Sequence, residues 1–433
     1  MRLAIVGTGY VGLTAGAAFA TKGHEVVCSD IDERRIAQLQ RSVMPFYEPG
    51  LEELVRQGLD EGNLRFTASH AEAVAPASIA FIAVGTPTGE RGAYESTHVR
   101  EAVREVLKSW SGAREDRVIA IKSTINTRIF HELETMLVER VHLASNPEFM
   151  AQGSAVKDFL KPHRIAIGTR SEVASRLLRE AYEPFVHDDP QKIRIYRHPE
   201  SAIIGKALAN AFLAERPTKM NEAARYCDAN GGDILEVRDL VMRDPRIGSE
   251  FLWPGPGFGG SCFDKDIRDL AVCAQDSGVT MRILPAILAS NEEHRRYVAD
   301  LVAQSIGGLE GRTIAVWGLA FKANTDDMRD APAIPIITSW LERGAVVRAH
   351  DPKAMPNAGR VFGDSVVLCD HKYDAVRGAD ALVLLTEWGA YDSPDYAELR
   401  ASLRRPIVFD MRNRWNPDAA RAAGLTYIGM GRK

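Results

Sequence analysis

A glycine pattern near the N-terminus constrains this chain more than any other feature. Gly7-Thr8-Gly9-Tyr10-Val11-Gly12 directly follows the apolar run Leu3–Val6 and opens a helical stretch. In a strand–turn–helix setting each glycine has a mechanical reason: a tight turn, close approach of backbone to a pyrophosphate, and close helix–strand packing. The helix N-terminus adds unpaired N–H groups and a positive dipole end for phosphate, so Gly7, Gly9, Tyr10, Val11 and Gly12 form a candidate dinucleotide turn. Asp30 ends the next apolar run, Glu25–Ser29, where a carboxylate would bond a ribose 2′-hydroxyl and repel a 2′-phosphate. That favours NAD over NADP, a preference tempered by Arg34 and Arg35. The competing reading of Asp30 is a helix N-cap.

The same glycines settle a second question. Residues 3–21 carry no charge and follow Arg2, which imitates a signal peptide or a short membrane span. Glycines at 7, 9, 12 and 16 would weaken a continuous apolar helix, so neither is expected. Lys plus Arg total 54 against 58 acidic residues, a net charge of −4, which excludes a polycationic nucleic-acid binder. Five cysteines without a C-x-x-C pair form neither a disulfide framework nor a metal site. They suit reduced thiols in a cytoplasmic protein.

At 433 residues the length predicts about three domains. Leu3–Val6, Glu25–Ser29, Ile79–Val84, Val118–Lys122 and His142–Ser145 read as strands, with Asp32–Arg41 and Thr97–Ser109 as helices between them. Long helical patterns then dominate: Ser201–Asn230, Asp266–Gly278 and Ile283–Ile306. The last third returns to strands at Thr313–Gly318, Ala345–Ala349, Ala381–Thr386 and Ile407–Met411, with a helix at Ala333–Arg343. The expected fold class is α/β: two Rossmann-like, doubly wound parallel-sheet domains, 1–197 and 307–433, joined by a mainly helical domain, 198–306. The second α/β unit carries Trp317-Gly318-Leu319-Ala320-Phe321-Lys322 at its first turn, which suits a phosphorylated ligand other than a second dinucleotide.

Pro254-Gly255-Pro256-Gly257-Phe258-Gly259-Gly260-Ser261-Cys262 is the most unusual stretch. Its glycines predict a backbone that wraps closely around a ligand. Cys262 follows that loop and precedes a helix, a setting that favours the thiolate and suits a nucleophile. Cys28, Cys227, Cys273 and Cys369 read as inert thiols. Lys206 and Asn210, four apart on a helix, share a face and could stabilise an oxyanion together.

With these residues in place the chain resembles the NAD-dependent sugar-nucleotide 6-dehydrogenases, the UDP-glucose/GDP-mannose dehydrogenase family. The resemblance runs from Met1 to about Asn416. It rests on Gly7–Gly12, Val84-Gly85-Thr86-Pro87, Lys122-Ser123-Thr124, Asn146-Pro147-Glu148-Phe149, Lys206 with Asn210, Arg246-Ile247-Gly248, Gly257–Cys262 with Lys265-Asp266, and Gly318–Asp327. It implies an NAD domain, a central helical dimerisation domain and a UDP-sugar domain. It also implies four-electron oxidation of a sugar C6 alcohol to an acid, UDP-glucose to UDP-glucuronate. In that chemistry a base, either water held by Asp266 and Thr124 or Lys206, assists the first oxidation. Cys262 then captures the aldehyde as a thiohemiacetal, and the second oxidation gives a thioester. Water activated by Glu148 hydrolyses it, with Lys206 and Asn210 stabilising the oxyanion.

The resemblance further implies cofactor contacts at Asp30, Arg35, Thr86, Thr124, Gln152, Lys265 and Arg329. Substrate contacts follow at Glu148, Phe149, Gln152, Lys206, Asn210, Phe251, Leu252, Trp253, Pro254, Gly255, Gly259, Lys322 and Arg412. Arg246 corresponds to a residue reaching a neighbouring subunit's site, which implies a homodimer or larger homo-oligomer. Some positions depart from the family pattern. Gln152 stands where a second glutamate is usual, and Asp264 replaces a proline, placing a negative charge near the thiol. Trp253 occupies a position often basic, Ile203 replaces a glutamate, and Pro217 predicts a kink in the long helix. The alternatives are a sibling acting on GDP-mannose or an N-acetylated UDP-sugar, a binding protein without turnover, and a two-electron hydroxyacid dehydrogenase.

Overall fold

In this computed structural model residues 1–89 and 91–432 are described; Lys433, the last residue of the third expected domain, lies outside them. Two compact units emerge: Met1–Ala209 with Arg268–Thr280, and Asn210–Ile267 with Met281–Lys433.

The first unit is built on eight strands, β1 (Arg2–Val6), β2 (Glu25–Ser29), β3 (Leu64–Thr67), β4 (Ile79–Ile82), β5 (Arg117–Ile121), β6 (Val141–Ser145), β7 (Ile165–Gly168) and β8 (Ile193–Tyr196). They lie in the order β3-β2-β1-β4-β5-β6-β7-β8. The pairings are parallel except β6 with β7, which meet antiparallel at Ser145 and Gly168, so the sheet is mixed at that one junction. β1 is buried at every position after Arg2 and β4 throughout. Helices cover both faces, which is why these strands read as unbroken apolar runs. Phe19, on the helix Tyr10–Ala20, stacks on Phe81 at 5.0 Å and meets Phe159, Tyr182 and Phe185.

The second unit repeats the plan with six parallel strands: β9 (Thr313–Trp317), β10 (Val346–His350), β11 (Val366–Leu368), β12 (Ala381–Leu384), β13 (Ile407–Asp410) and β14 (Thr426–Gly429). Their order, β11-β10-β9-β12-β13-β14, reverses direction beside β9 as the first sheet does beside β1. Such a reversal opens a crevice at the carboxyl ends of the strands. Both expected sheets are therefore present. Their boundaries differ from the sequence reading by a residue or two at most strand ends, and β3, β7, β8, β11 and β14 were not anticipated.

The helix Pro199–Asn230 is unbroken with Pro217 inside it. One turn's hydrogen bond is lost there, and the neighbouring Thr218 hydroxyl donates to the Ala214 carbonyl at 2.8 Å. Among the described residues no helix is long and apolar enough to cross a membrane.

Candidate active site

In the first unit, Gly7 leaves β1 at φ +101°, and a Cβ there would meet the Ala83 carbonyl oxygen at 2.7 Å. At Gly12 a Cβ would lie 1.9 Å from the Gly7 carbonyl. Both glycines are thus demanded by the protein's own packing. Gly9 is different: a Cβ would meet nothing within 4 Å, and Gly9 caps the helix Tyr10–Ala20 with no side-chain hydrogen bond. Open space over an uncapped helix N-terminus is what a pyrophosphate needs, so the turn fits a dinucleotide.

Asp30 lies at the end of β2. Its Oδ2 accepts hydrogen bonds from the Thr8 amide (2.8 Å), the Thr8 hydroxyl (2.7 Å) and Arg35 (3.0 Å), and its Oδ1 from the Asp32 amide. Burial alone would raise its pKa, but these donors and the Arg35 charge hold it below the ordinary carboxylate value. The N-cap of the following helix is Asp32, not Asp30: Asp32 accepts the Arg34 and Arg35 amides. Arg35 is drawn to Asp30, so the pair presents less net positive charge to a 2′-phosphate than the sequence alone suggested.

Glu148 and Lys206 meet as a buried ion pair, Nζ to Oε1 at 3.2 Å, and Glu148 Oε2 accepts the Met150 amide at 2.6 Å. The Lys206 ammonium also lies 5.3 Å from the Phe149 ring centre, and Arg164 covers that ring at 3.8 Å. Thr124 is half-buried just beyond β5, and Thr86 is buried beyond β4. Gln152 lies half-buried in a loop that sequence reasoning left unexplained. The buried carboxylate of Glu48 accepts the Gly153 and Ala155 amides, and the Tyr10 hydroxyl also accepts from Gly153. The acid in Tyr47-Glu48-Pro49-Gly50, set in a turn otherwise apolar, was the available signal.

The helix that follows the nucleophile candidate runs from Phe263 to Asp276, starting three residues earlier than the sequence indicated. Cys262 therefore stands at its very start, its carbonyl accepting the Asp266 amide at 3.0 Å. It is exposed, whereas Cys28, Cys227 and Cys369 are buried and Cys273 is half-buried. Burial pushes the Cys28 thiol up, and burial with Asp269 nearby pushes Cys273 up to about 11. Asn210 donates to Asp266 Oδ2 at 2.6 Å, both side chains buried, and Lys265 is 3.9 Å from Asp266 Oδ1. Asp264 is half-buried in the first helical turn. Arg329, held by Asp327 at 2.6 Å, has its pKa raised first by that hydrogen bond and further by the Cys262 charge.

The loop before Cys262 also has packing reasons for its glycines. A Cβ at Gly257 (φ +118°) would strike Asn291 Oδ1 at 2.9 Å, one at Gly259 the Asp330 carbonyl at 2.3 Å, and one at Gly260 the Phe321 ring at 2.9 Å. A Cβ at Gly255 would likewise come 3.0 Å from Arg412 Nη1. The loop is suspended by side chains that no sequence motif marked. Asn221 accepts the Gly255 amide, His294 Nε2 donates to the Gly255 carbonyl (2.8 Å), and Asn291 bonds both the amide and the carbonyl of Phe258. Arg295 ties Phe258 to Asp330. The signal was polar residues at positions 291, 294 and 295, on a face of the helix Ile283–Ser305 that is buried at Asn291 and His294.

Burial pushes the His294 imidazole down to about 4, against about 6.5 in an unfolded chain. As pH falls, the unfolded state takes up this proton first. The contribution is present in full above about 6.5 and is lost as pH falls to about 4, a loss of about 3 kcal/mol. Urea unfolding across that window should show a shallower acid slope in His294→Gln than in the unsubstituted protein. Equal slopes would remove His294 as the cause.

Of the expected substrate residues, Leu252 and Pro254 are buried, while Phe251 (φ +60°) and Trp253 are exposed. Arg238 lies 3.8 Å from the Trp253 ring centre, restoring a cation beside a position where the family pattern leads one to expect a base. Arg412 donates to the Leu385 carbonyl and pairs with Glu387 at 3.1 Å; the Lys322 ammonium stands 5.7 Å from the Phe321 ring. Arg246 extends into solvent, paired with Asp244. The turn after β9 keeps the aspartate brace of its counterpart after β1 but not the helix that follows it. Asp351, at the end of β10 and buried, accepts the amides of Leu319 (2.8 Å) and Ala320 (3.0 Å) and the Trp388 indole. No helix follows that turn until Ala333.

Three family models match the chain. Residues 1–186 match the NAD binding domain of the UDP-glucose/GDP-mannose dehydrogenase family, 200–293 its central domain and 315–417 its UDP binding domain. The chain belongs to the UDP-glucose/GDP-mannose dehydrogenase family. A UDP-glucose 6-dehydrogenase of Pseudomonas aeruginosa is 41% identical over 447 residues, covering 100% of this chain and 98% of that protein. The solved UDP-glucose dehydrogenase of Pyrobaculum islandicum is 35% identical, with TM-score 0.90 over 100% of this chain and 98% of that one. A UDP-D-ManNAc dehydrogenase from Pyrococcus horikoshii is 26% identical, with TM-score 0.86 over 100% and 99%. Family membership assigns NAD binding to residues 1–186 and UDP binding to residues 315–417.

Proposed function

We propose that the protein oxidises UDP-glucose to UDP-glucuronate. The observation that carries the reading is Cys262, an exposed thiol at the start of a helix in a chain whose other cysteines are withdrawn. When bound, NAD supplies the hydride acceptor for both oxidations. Asp266 with Thr124 holds the water that takes the C6 hydroxyl proton, or Lys206 takes it directly. The Cys262 thiolate adds to the aldehyde carbon, and the oxygen left negative is stabilised by Lys206 and Asn210. After the second oxidation, water deprotonated by Glu148 attacks the thioester, expelling the thiolate and releasing the uronate. Gln152 can hydrogen-bond in this hydrolysis but accepts no proton.

Substrate is assigned to Phe251–Gly255, Gly259, Lys322 and Arg412, and cofactor to Gly7–Gly12, Asp30, Arg35, Thr86, Gln152, Lys265 and Arg329. The three-domain division at 197/198 and 306/307 belongs to the same reading. So does a homodimer in which Arg246 serves the neighbouring copy; exposed Phe212, Tyr226 and Leu240 support a further apolar contact. Cysteines in the free form support a cytoplasmic location.

The test is a count of NADH formed per sugar nucleotide, with UDP-glucose, UDP-N-acetylmannosamine and GDP-mannose compared. Two equivalents per UDP-glucose are expected. Two equivalents from another sugar alone would reassign the substrate, and NAD binding without turnover on any of them would reduce the protein to a binder.

A further inference from the structure

Lys122 follows β5 directly and is 4% exposed. Its ammonium donates to the Tyr182 hydroxyl at 3.0 Å and to Asn146 Oδ1 at 3.3 Å, and it lies 5.5 Å from the centre of the Phe159 ring. Tyr182 also donates to Asn146 Oδ1 at 2.6 Å, and Asn146 Nδ2 donates to the Ala166 carbonyl. The amide is thus fully tied, and Glu148 lies only two residues further on. A core position among two aromatic rings would be filled more cheaply by an apolar side chain than by a lysine. What distinguishes this lysine is the company of charge: the ionised groups acting on it are Glu148, which favours its cation, and Lys206, which opposes it. The phenol of Tyr182 is driven up by burial and stays neutral. Burial lowers the Lys122 pKa to about 8, so the ammonium persists at neutral pH.

We propose that Lys122 is a positioning residue for the reaction: through Asn146 it fixes the segment leading to Glu148, and its cation sets the electrostatic potential at Glu148 and Lys206. The inference rests on the roles given above to those two residues. Two cations then act on one carboxylate, Lys206 in contact and Lys122 from further off, so the Lys122 charge favours the Glu148 anion and opposes the Lys206 cation. Withdrawing the Lys122 charge reverses both effects. The acid limb of the turnover profile, where the base must be ionised, moves to higher pH. The alkaline limb, where the ammonium must remain, moves the same way, each by about one unit.

The experiment measures initial NADH formation from UDP-glucose by the full chain across the pH range in which the rate rises and falls. Lys122→Met should move both limbs upward, while Lys122→Arg, which keeps the charge, should leave both in place even where its rate is lower. Limbs unmoved in Lys122→Met, or moved equally in Lys122→Arg, overturn the proposal. If the Met variant fails to melt cooperatively, Lys122→Gln removes the same charge, retains a donor for Asn146, and is read by the same criteria. A second arm keeps Lys122 in place and needs no turnover. The nitrogen-15 resonance of its ammonium should titrate at lower pH in Glu148→Gln than in the unsubstituted protein, and an unchanged midpoint also overturns the proposal. Absence of wild-type turnover on UDP-glucose would instead sink the proposed function, leaving the resonance arm to judge the coupling.

Discussion

Cys262→Ser should lower uronate release by at least about 10³-fold, because a serine hydroxyl is almost wholly un-ionised where the thiol yields a nucleophilic anion. The loss should be selective. Cys262 lies at an exposed helix start, so the exchange disturbs no packing, and thermal unfolding should be unchanged within error. Cys28→Ser gives the opposite signature. Its sulfur sits where a Cβ on Gly16 would approach to 2.4 Å, so a hydroxyl there perturbs a packed interior and leaves the chemistry alone. Product analysis by mass spectrometry, together with the NADH count, separates the two outcomes. A normal uronate yield from Cys262→Ser would remove the covalent intermediate from the mechanism.

The second large effect is expected at Lys206. Lys206→Met leaves the Glu148 carboxylate buried without its 3.2 Å partner. Breaking a buried pair on one side destabilises by about 3 kcal/mol. The retained Lys122 cation reduces that cost by an amount a Lys122→Met, Lys206→Met double variant would expose. Turnover should fall about 10²–10³-fold, as for loss of one preorganised oxyanion donor. Denaturant unfolding and kcat should therefore drop together. A fall in stability with turnover preserved would assign Lys206 to the fold and not to the reaction.

The sheet interiors were readable because parallel strands covered on both faces appear as uninterrupted Val, Ile and Ala runs. Four of the five unanticipated strands, β3, β8, β11 and β14, are the outer edges of the two sheets. Leu64-Arg65-Phe66-Thr67 and Ile193-Arg194-Ile195-Tyr196 put polar side chains into solvent at an edge, and so lack the signal that marks their neighbours. The same division runs through the site. Residues whose chemistry announces itself locally, such as Cys262 at the end of a glycine-rich run, stand out as candidates by their spacing. The groups that hold them could not, since Asn291 and Phe258, or Lys122 and Tyr182, are joined only by the fold. The glycines beside Cys262 illustrate this: a pattern read for wrapping a ligand is also required by Asn291, Asp330 and Phe321.

The turn after β9 has a kinetic corollary. Asp30 and Asp351 both accept amides of their own turns, but a helix N-terminus follows directly only after β1, so on the proposed reading only one of the two matching sheets seats a dinucleotide. On the proposed reaction, two hydrides must leave through a single seat in succession. The half-oxidised sugar has to wait while spent cofactor is exchanged for fresh. The lifetime of its bond to Cys262, set against the rate of that exchange, then decides how much free aldehyde escapes from each turnover.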